Sequence, residues 1–167
     1  MKQLGYINHY SESVINQVKL MIENKTLGKY LRKKYPQSHE INTEKQLYQY
    51  TLQLKNNYIK QSNSLSKVIY DPKIHIYNNA LGTHSFVSRI QGSKLKSKQE
   101  IRIASLFKKA PLAMLNMIVV HELAHLKEKQ HNKAFYNLCE YILPDYHQVE
   151  LDTRLFLIHS ELFGNLY

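Results

Sequence analysis

The chain has one cysteine, five glycines, four prolines and no tryptophan among its 167 residues, and 13 acidic side chains against 23 basic ones. A single thiol, Cys139, excludes an internal disulfide, and its place on the apolar side of a predicted helix reads as core packing. With only five glycines there is no Gly-rich loop to cradle phosphates, which excludes a P-loop. No apolar run approaches the roughly 20 residues that span a bilayer, since the longest lies around Met117 to Val120. The segment MKQLGYINHYSESV lacks the apolar stretch of a signal peptide. A soluble, cytoplasmic protein without a membrane partner is the expectation, and with 43% hydrophobic residues it can build one domain over residues 1–167.

What charge there is lies unevenly. Residues 1–66 carry ten Lys/Arg against four Asp/Glu, residues 67–110 nine against two, and residues 111–167 four against seven. The clusters Lys29, Arg32, Lys33, Lys34 and Lys94, Lys96, Lys98, Arg102 therefore make the N-terminal two thirds a candidate surface for phosphates or nucleic acid. A solvated basic face that keeps the protein soluble is the simpler reading. The 13 tyrosines invite a base-stacking role, yet Leu47, Tyr50, Leu54 and Tyr58 recur at helical spacing and read as packing.

The pattern along the chain predicts an α+β fold. Ser11 to Asn24 is amphipathic, Leu27 to Tyr35 forms a short helix closed by Pro36, and Thr43 with Gln46 is a capping box opening a helix to about Gln61. These helices form an N-terminal layer over residues 1–66. Residues 67–167 supply a sheet and the remaining helices. Three strands are expected, at Lys73 to Tyr77, Ser85 to Ile90 and Glu100 to Leu106, arranged as a small antiparallel sheet. A central helix begins with Pro111 in its first turn, with Leu112, Leu115, Ile118, Val119 and Leu126 as core residues, and a last helix runs from about Gln148 to Phe163.

The central helix carries His121-Glu122-Leu123-Ala124-His125, an H-E-x-x-H motif. At 3.6 residues per turn the two imidazoles lie about one turn apart on nearly one face, so both can grip one zinc ion. Glu122 lies about 60° further round, where a base takes a proton from a zinc-bound water. A core helix with two satisfied histidines is the bland alternative, and a buried unpaired Glu weighs against it.

A third ligand is needed. On an unbroken helix His131 would point about 240° away from His125, so it reaches the metal only if the chain turns after Lys127 to Lys129. Asn132 can cap a new helix carrying Phe135, Leu138, Cys139 and Ile142, ended by Pro144. Glu128, Glu140, Glu150 and His147 are the other candidates. The offset from His125 to His131 also fits the metzincin pattern, but Glu128 stands where that pattern has Gly.

The segment HELAHLKEKQHNKAF from His121 to Phe135 resembles the YgjP-like metallopeptidase domain family, relatives of the SprT-like and WLM zinc proteases. LGTHSFVSRIQGSKLKSKQEIRI from Leu81 and LPDYHQVELDTRLFL from Leu143 are similar to its flanking strands and C-terminal helix. The resemblance is strong over about residues 66–167, with the N-terminal helices expected to belong to the same branch, and implies a zincin-like fold, Zn²⁺ held by His121, His125 and His131, and Glu122 as catalytic acid and base. This chain has Gly82-Thr83-His84-Ser85 where many relatives carry an Arg-Trp-Gly-Ser-type sequence, so contacts to substrate do not transfer from that motif.

A zinc metallopeptidase acting on polypeptide is the first expectation, because H-E-x-x-H with a Glu base suits peptide hydrolysis. A metal-dependent nucleoside triphosphate pyrophosphatase is the second, with the Lys94 to Arg102 stretch holding phosphates. The third is a DNA-associated SprT-like protease or a zinc-containing nucleic-acid-binding module. Tyr146, His147 and Arg154 are the candidates for stabilising a developing oxyanion, although each reads more readily as a packing or surface residue.

Overall fold

A computed structural model describes residues 2–60, 62, 64–74, 82–91 and 94–167. It is helix-rich with one small sheet. The N-terminal segment forms a 3₁₀ turn at Lys2–Ile7, and helix α1 spans Glu12–Glu23 with Ser11 accepting the Val14 N–H at its N-cap. The chain leaves α1 through Lys25, whose φ of 55° makes the left-handed turn that usually falls to glycine. Helix α2 covers Leu27–Lys34 and α3 covers Glu44–Tyr58, the latter opened by the expected Thr43–Gln46 capping box.

The strands are β1 at Leu65–Asp71, β2 at Gly82–Gln91 and β3 at Lys94–Ala104, in the spatial order β1-β3-β2. One expectation is corrected. The sheet is not antiparallel throughout, because β1 runs parallel to β3 while β2 runs antiparallel to it. The first described strand also precedes the Asp71-Pro72 turn, and residues 75–77 of the strand expected after that turn, Lys73–Tyr77, lie outside the described residues. A register shift between Leu65 and Lys67 explains why β1 was missed. It puts the buried Leu65 and Val68 three residues apart, which breaks the two-residue alternation that marks a strand.

A 3₁₀ turn at Ser105–Lys109 leads into α4, Leu112–Ala124, with Pro111 as its N-cap residue and not its first helical one. Nine of the 13 residues of α4 are buried, Met114 to Ala124 including Glu122, so α4 is the central element. Full burial of a Leu, Ile, Val or Met side chain contributes about 1.5–3 kcal/mol. Leu112, expected in the core, is 47% exposed because it opens the first turn. Around α4 pack α3, β2, β3, and the last two helices, α5 at Lys133–Ile142 and α6 at Tyr146–Phe163.

The N-terminal 3₁₀ turn and α2 rest on α6, while α3 rests on β1 and α4. Asp152 of α6, fully buried, accepts from Tyr30, Lys34 and Tyr35, which ties α2 and its C-cap to α6. Gly28 lets these two helices approach closely. A Cβ there would lie 2.7 Å from His159 Nε2. Among the described residues no helix is long and apolar enough to cross a membrane.

Candidate metal centre

Helix α4 stops earlier than the sequence suggests. Its last helical residue is Ala124 and His125 is already the C-cap, with φ −63° and ψ −15°. The chain then tightens into a turn in which Leu126 N–H donates to Leu123 O, and Lys127 and Glu128 N–H both donate to Ala124 O. The expected break after Lys127 to Lys129 therefore occurs three residues sooner. Asn132 caps α5 as expected, its side-chain oxygen accepting from Phe135 N–H at 2.9 Å. Between the two helix ends the chain reverses and carries His131 back over α4.

The result is a triangle of imidazoles. His131 Nε2 lies 3.1 Å from His121 Nε2 and 3.1 Å from His125 Nε2. Tetrahedral ligands about 2.0–2.1 Å from a zinc ion stand about 3.3 Å apart, so this spacing fits one metal ion of that size. The opposite nitrogens are engaged elsewhere. His125 Nδ1 donates to the backbone oxygen of Glu128 at 3.0 Å, and His121 Nδ1 lies 2.6 Å from Tyr146 Oη. Phe135, fully buried, sets its ring beneath all three, with centroid separations of 4.9, 4.6 and 4.8 Å to His121, His125 and His131. Three neutral nitrogens converging on one point cannot all satisfy one another with hydrogens, whereas a cation satisfies all three lone pairs. These three form the group among the described residues that could hold a metal ion.

The other candidate ligands have other partners. The Glu128 carboxylate accepts from Asn132 Nδ2 at 3.3 Å, and Glu140 faces His147 at 3.6 Å. Glu150 accepts from Tyr10 Oη and pairs with Arg154. The candidates for oxyanion stabilisation are likewise committed. Arg154 also donates to Tyr6 O at 2.9 Å, and Tyr146 is 1% exposed with its hydroxyl on His121, behind the metal-facing nitrogens. Arg102, counted in the basic stretch, is held by Asp71 at 2.9 Å and Glu100 at 2.6 Å. The side chains of Lys94, Lys96 and Lys98 lie outside the described residues.

Burial sets the electrostatics. His121 is held down to about 3, first by burial, then by the two neighbouring imidazoles and Arg154. His131 is lowered too, by burial first and then by His125. Both nitrogens are thus neutral and available to a cation near neutral pH. Glu122 is 3% exposed, and burial alone pushes its carboxyl up to about 8. Such a group exchanges protons near neutrality, as a general acid or base must.

The floor under the site, Phe135, and the Glu128 carbonyl were not singled out from sequence. Phe135 carried a signal, being the residue whose N–H the Asn132 cap receives, but it read as ordinary core. A backbone oxygen carries none.

No solved structure matches the chain. The chain is 52% identical over 165 residues to a protein of Escherichia coli (strain K12) named UTP pyrophosphatase, covering 99% of each. The YgjP-like, metallopeptidase domain pattern matches residues 9–154. The match runs from before α1 to the middle of α6 and so takes in the N-terminal helices as expected, and the chain belongs to the YgjP-like metallopeptidase domain family.

Proposed function

We propose that this protein is a zinc-dependent nucleoside triphosphate pyrophosphatase in which His121, His125 and His131 hold the metal and Glu122 is the general acid and base. The likeness over 99% of both chains to the E. coli UTP pyrophosphatase carries the substrate half of this reading. The converging imidazoles support the metal half. A polypeptide substrate, placed first by the motif and the family resemblance, gives way to a nucleotide because of that likeness. The net charge of +10 also favours a polyanionic substrate over a neutral peptide.

His121, His125 and His131 would hold the zinc ion, which when bound would lower the pKa of a water toward about 7 and offset charge on a phosphoryl oxygen. Glu122 takes the proton of the attacking water. The water oxygen bonds to the α-phosphorus while the bond from that phosphorus to the α–β bridging oxygen breaks. The bridging oxygen leaves with the β- and γ-phosphates as pyrophosphate, to which Glu122 returns its proton, and a nucleoside monophosphate remains. The experiment is pyrophosphate release from UTP and the other nucleoside triphosphates, with and without chelator, beside casein. Chelator-sensitive release of pyrophosphate is expected. Cleavage of casein without nucleotide turnover would sink the proposal.

One observation favours a peptidase as the second reading. Among the described strands β2 is paired on one side only and packs near α4, so its free edge is available to an extended peptide. The DNA-associated readings lose support from Lys34 and Arg102, two of the cations that motivated them, since both are engaged with carboxylates.

A further inference from the structure

Tyr146 sits behind His121 at 1% exposure, and two side chains bear on its hydroxyl. One is His121 Nδ1 at 2.6 Å. The ring planes are 15° apart with centroids separated by 6.4 Å. That separation is too long for face-to-face stacking and is reached only when the phenol C–O bond, the hydrogen bond and the imidazole nitrogen lie nearly in line. The hydroxyl therefore meets the in-plane direction of Nδ1. The second neighbour is the Cys139 thiol, fully buried and close enough for the two groups to perturb each other. Burial keeps both groups neutral, pushing the thiol up to about 12 and the phenol higher still.

A phenol has one proton and can donate it once. A sulfur accepts weakly, and the Cys139 thiol is an acceptor beside this buried hydroxyl. If the phenol proton points to Cys139 Sγ, the oxygen lone pair is left for His121, and Nδ1 must carry the imidazole proton. Nε2 is then the bare nitrogen, facing His131.

We infer that Tyr146 is a positioning residue for the metal centre: with Cys139 behind it, its hydroxyl fixes the His121 tautomer that leaves Nε2 free to bind a cation. This rests on the proposed metal reading and adds to it a role for two residues of α5 and α6. His125 obtains the same tautomer from the Glu128 carbonyl, an acceptor that cannot reverse. The Tyr146 hydroxyl can reverse, so it needs Cys139 to fix its direction. A sequence reading treats Cys139 as core filling and Tyr146 as a candidate for substrate contact. Their joint role is orientation.

The test is zinc affinity by competition with a chromogenic chelator, together with the ¹⁵N shifts of His121 in the metal-free protein. Tyr146→Phe keeps the ring and the packing, so thermal melting verifies the fold. Zinc affinity is expected to fall about 10- to 100-fold, and His121 to lose its pure Nδ1–H form. Cys139→Ser, which retains an acceptor, should bind zinc more nearly as the wild type does than Cys139→Ala. Wild-type affinity and an unchanged tautomer in Tyr146→Phe would overturn the inference. So would lost turnover with zinc binding and tautomer intact, because Tyr146 would then act on substrate. Failure of the wild-type protein to bind zinc refutes the metal reading instead, and the tautomer measurement separates the two.

Discussion

His125 and Glu128 are joined through a backbone atom: the imidazole Nδ1 donates to the Glu128 carbonyl oxygen at 3.0 Å, while the Glu128 carboxylate turns away toward Asn132. The same residue thus supports the metal centre without offering its charge. Substitutions at Glu128 and at His131 should therefore separate cleanly.

Glu128→Ala keeps the carbonyl and is expected to leave zinc affinity within about threefold, with a stability change of at most about 1 kcal/mol from the exposed Asn132 contact. His131→Ala removes a nitrogen from the triangle and is expected to lower bound zinc well below one ion per chain. Elemental analysis of the two purified variants checks both. Zinc retained in His131→Ala and lost in Glu128→Ala would reverse the assignment.

Glu122→Gln retains the size of the side chain and removes its basicity. Zinc content is expected to stay at the wild-type level while turnover falls by about 10²- to 10⁴-fold, the range a positioned general base supplies. Turnover within tenfold of wild type would remove Glu122 from the mechanism.

The metal-free protein should be most stable at mildly acidic pH. Burial raises the Glu122 carboxyl from 4.5 to about 8, so its contribution is complete below 4.5 and is lost as pH rises through 8. Burial lowers His121 from 6.5 to about 3, so its contribution is present above 6.5 and is lost as pH falls toward 3. Between those values the two trends oppose each other. Melting of chelator-treated protein from pH 3 to 9 should show a maximum between about 4.5 and 6.5, with flanks no steeper than about 1.4 kcal/mol per pH unit for each group. Stability that climbs steadily from pH 6 to 9 would contradict this.

Gly28→Ala places a methyl 2.7 Å from His159 Nε2 and 3.3 Å from Leu166 Cδ1. Overpacking of this kind costs about 1–3 kcal/mol. Because the contact joins α2 to α6 away from His121, His125 and His131, zinc affinity should stay unchanged while the denaturation midpoint falls. Equilibrium unfolding beside a zinc titration reads both.

Elements announced by local chemistry were legible in the sequence. Thr43 and Asn132 each cap a helix where their side chains said they would, and Ser11, read as the start of its helix, is the N-cap of α1. The triangle was legible too, since H-E-x-x-H fixes two corners and a capping Asn just after His131 marks the reversal. What escaped has a physical reason in each case. The bulge in β1 erased its alternation, and the parallel pairing of β1 with β3 depends on a crossover that leaves no local mark. The end of α4 at Ala124 is hidden because Leu126, Lys127 and Glu128 all favour helix. Glycine is not needed there, since among the described residues the only positive φ values belong to Lys25 and Gly164. The metzincin glycine is missing because this turn is made of right-handed residues closed by short backbone bonds. The role of Tyr146 depends on how α5 and α6 meet, which spacing along one helix does not reveal.

The early end of α4 also changes what surrounds the triangle. Two of its corners, His121 and His125, lie in the last turn of α4 and at its C-cap, where the aligned peptide dipoles present their negative end. A bound cation would therefore act as the electrostatic stopper of that helix, and the helix would act as a counter-charge that no side chain supplies. Metal loss should then be felt first as fraying: the amides from Leu123 to Glu128 would exchange with solvent sooner, while the buried stretch from Met114 to Val120 stayed protected.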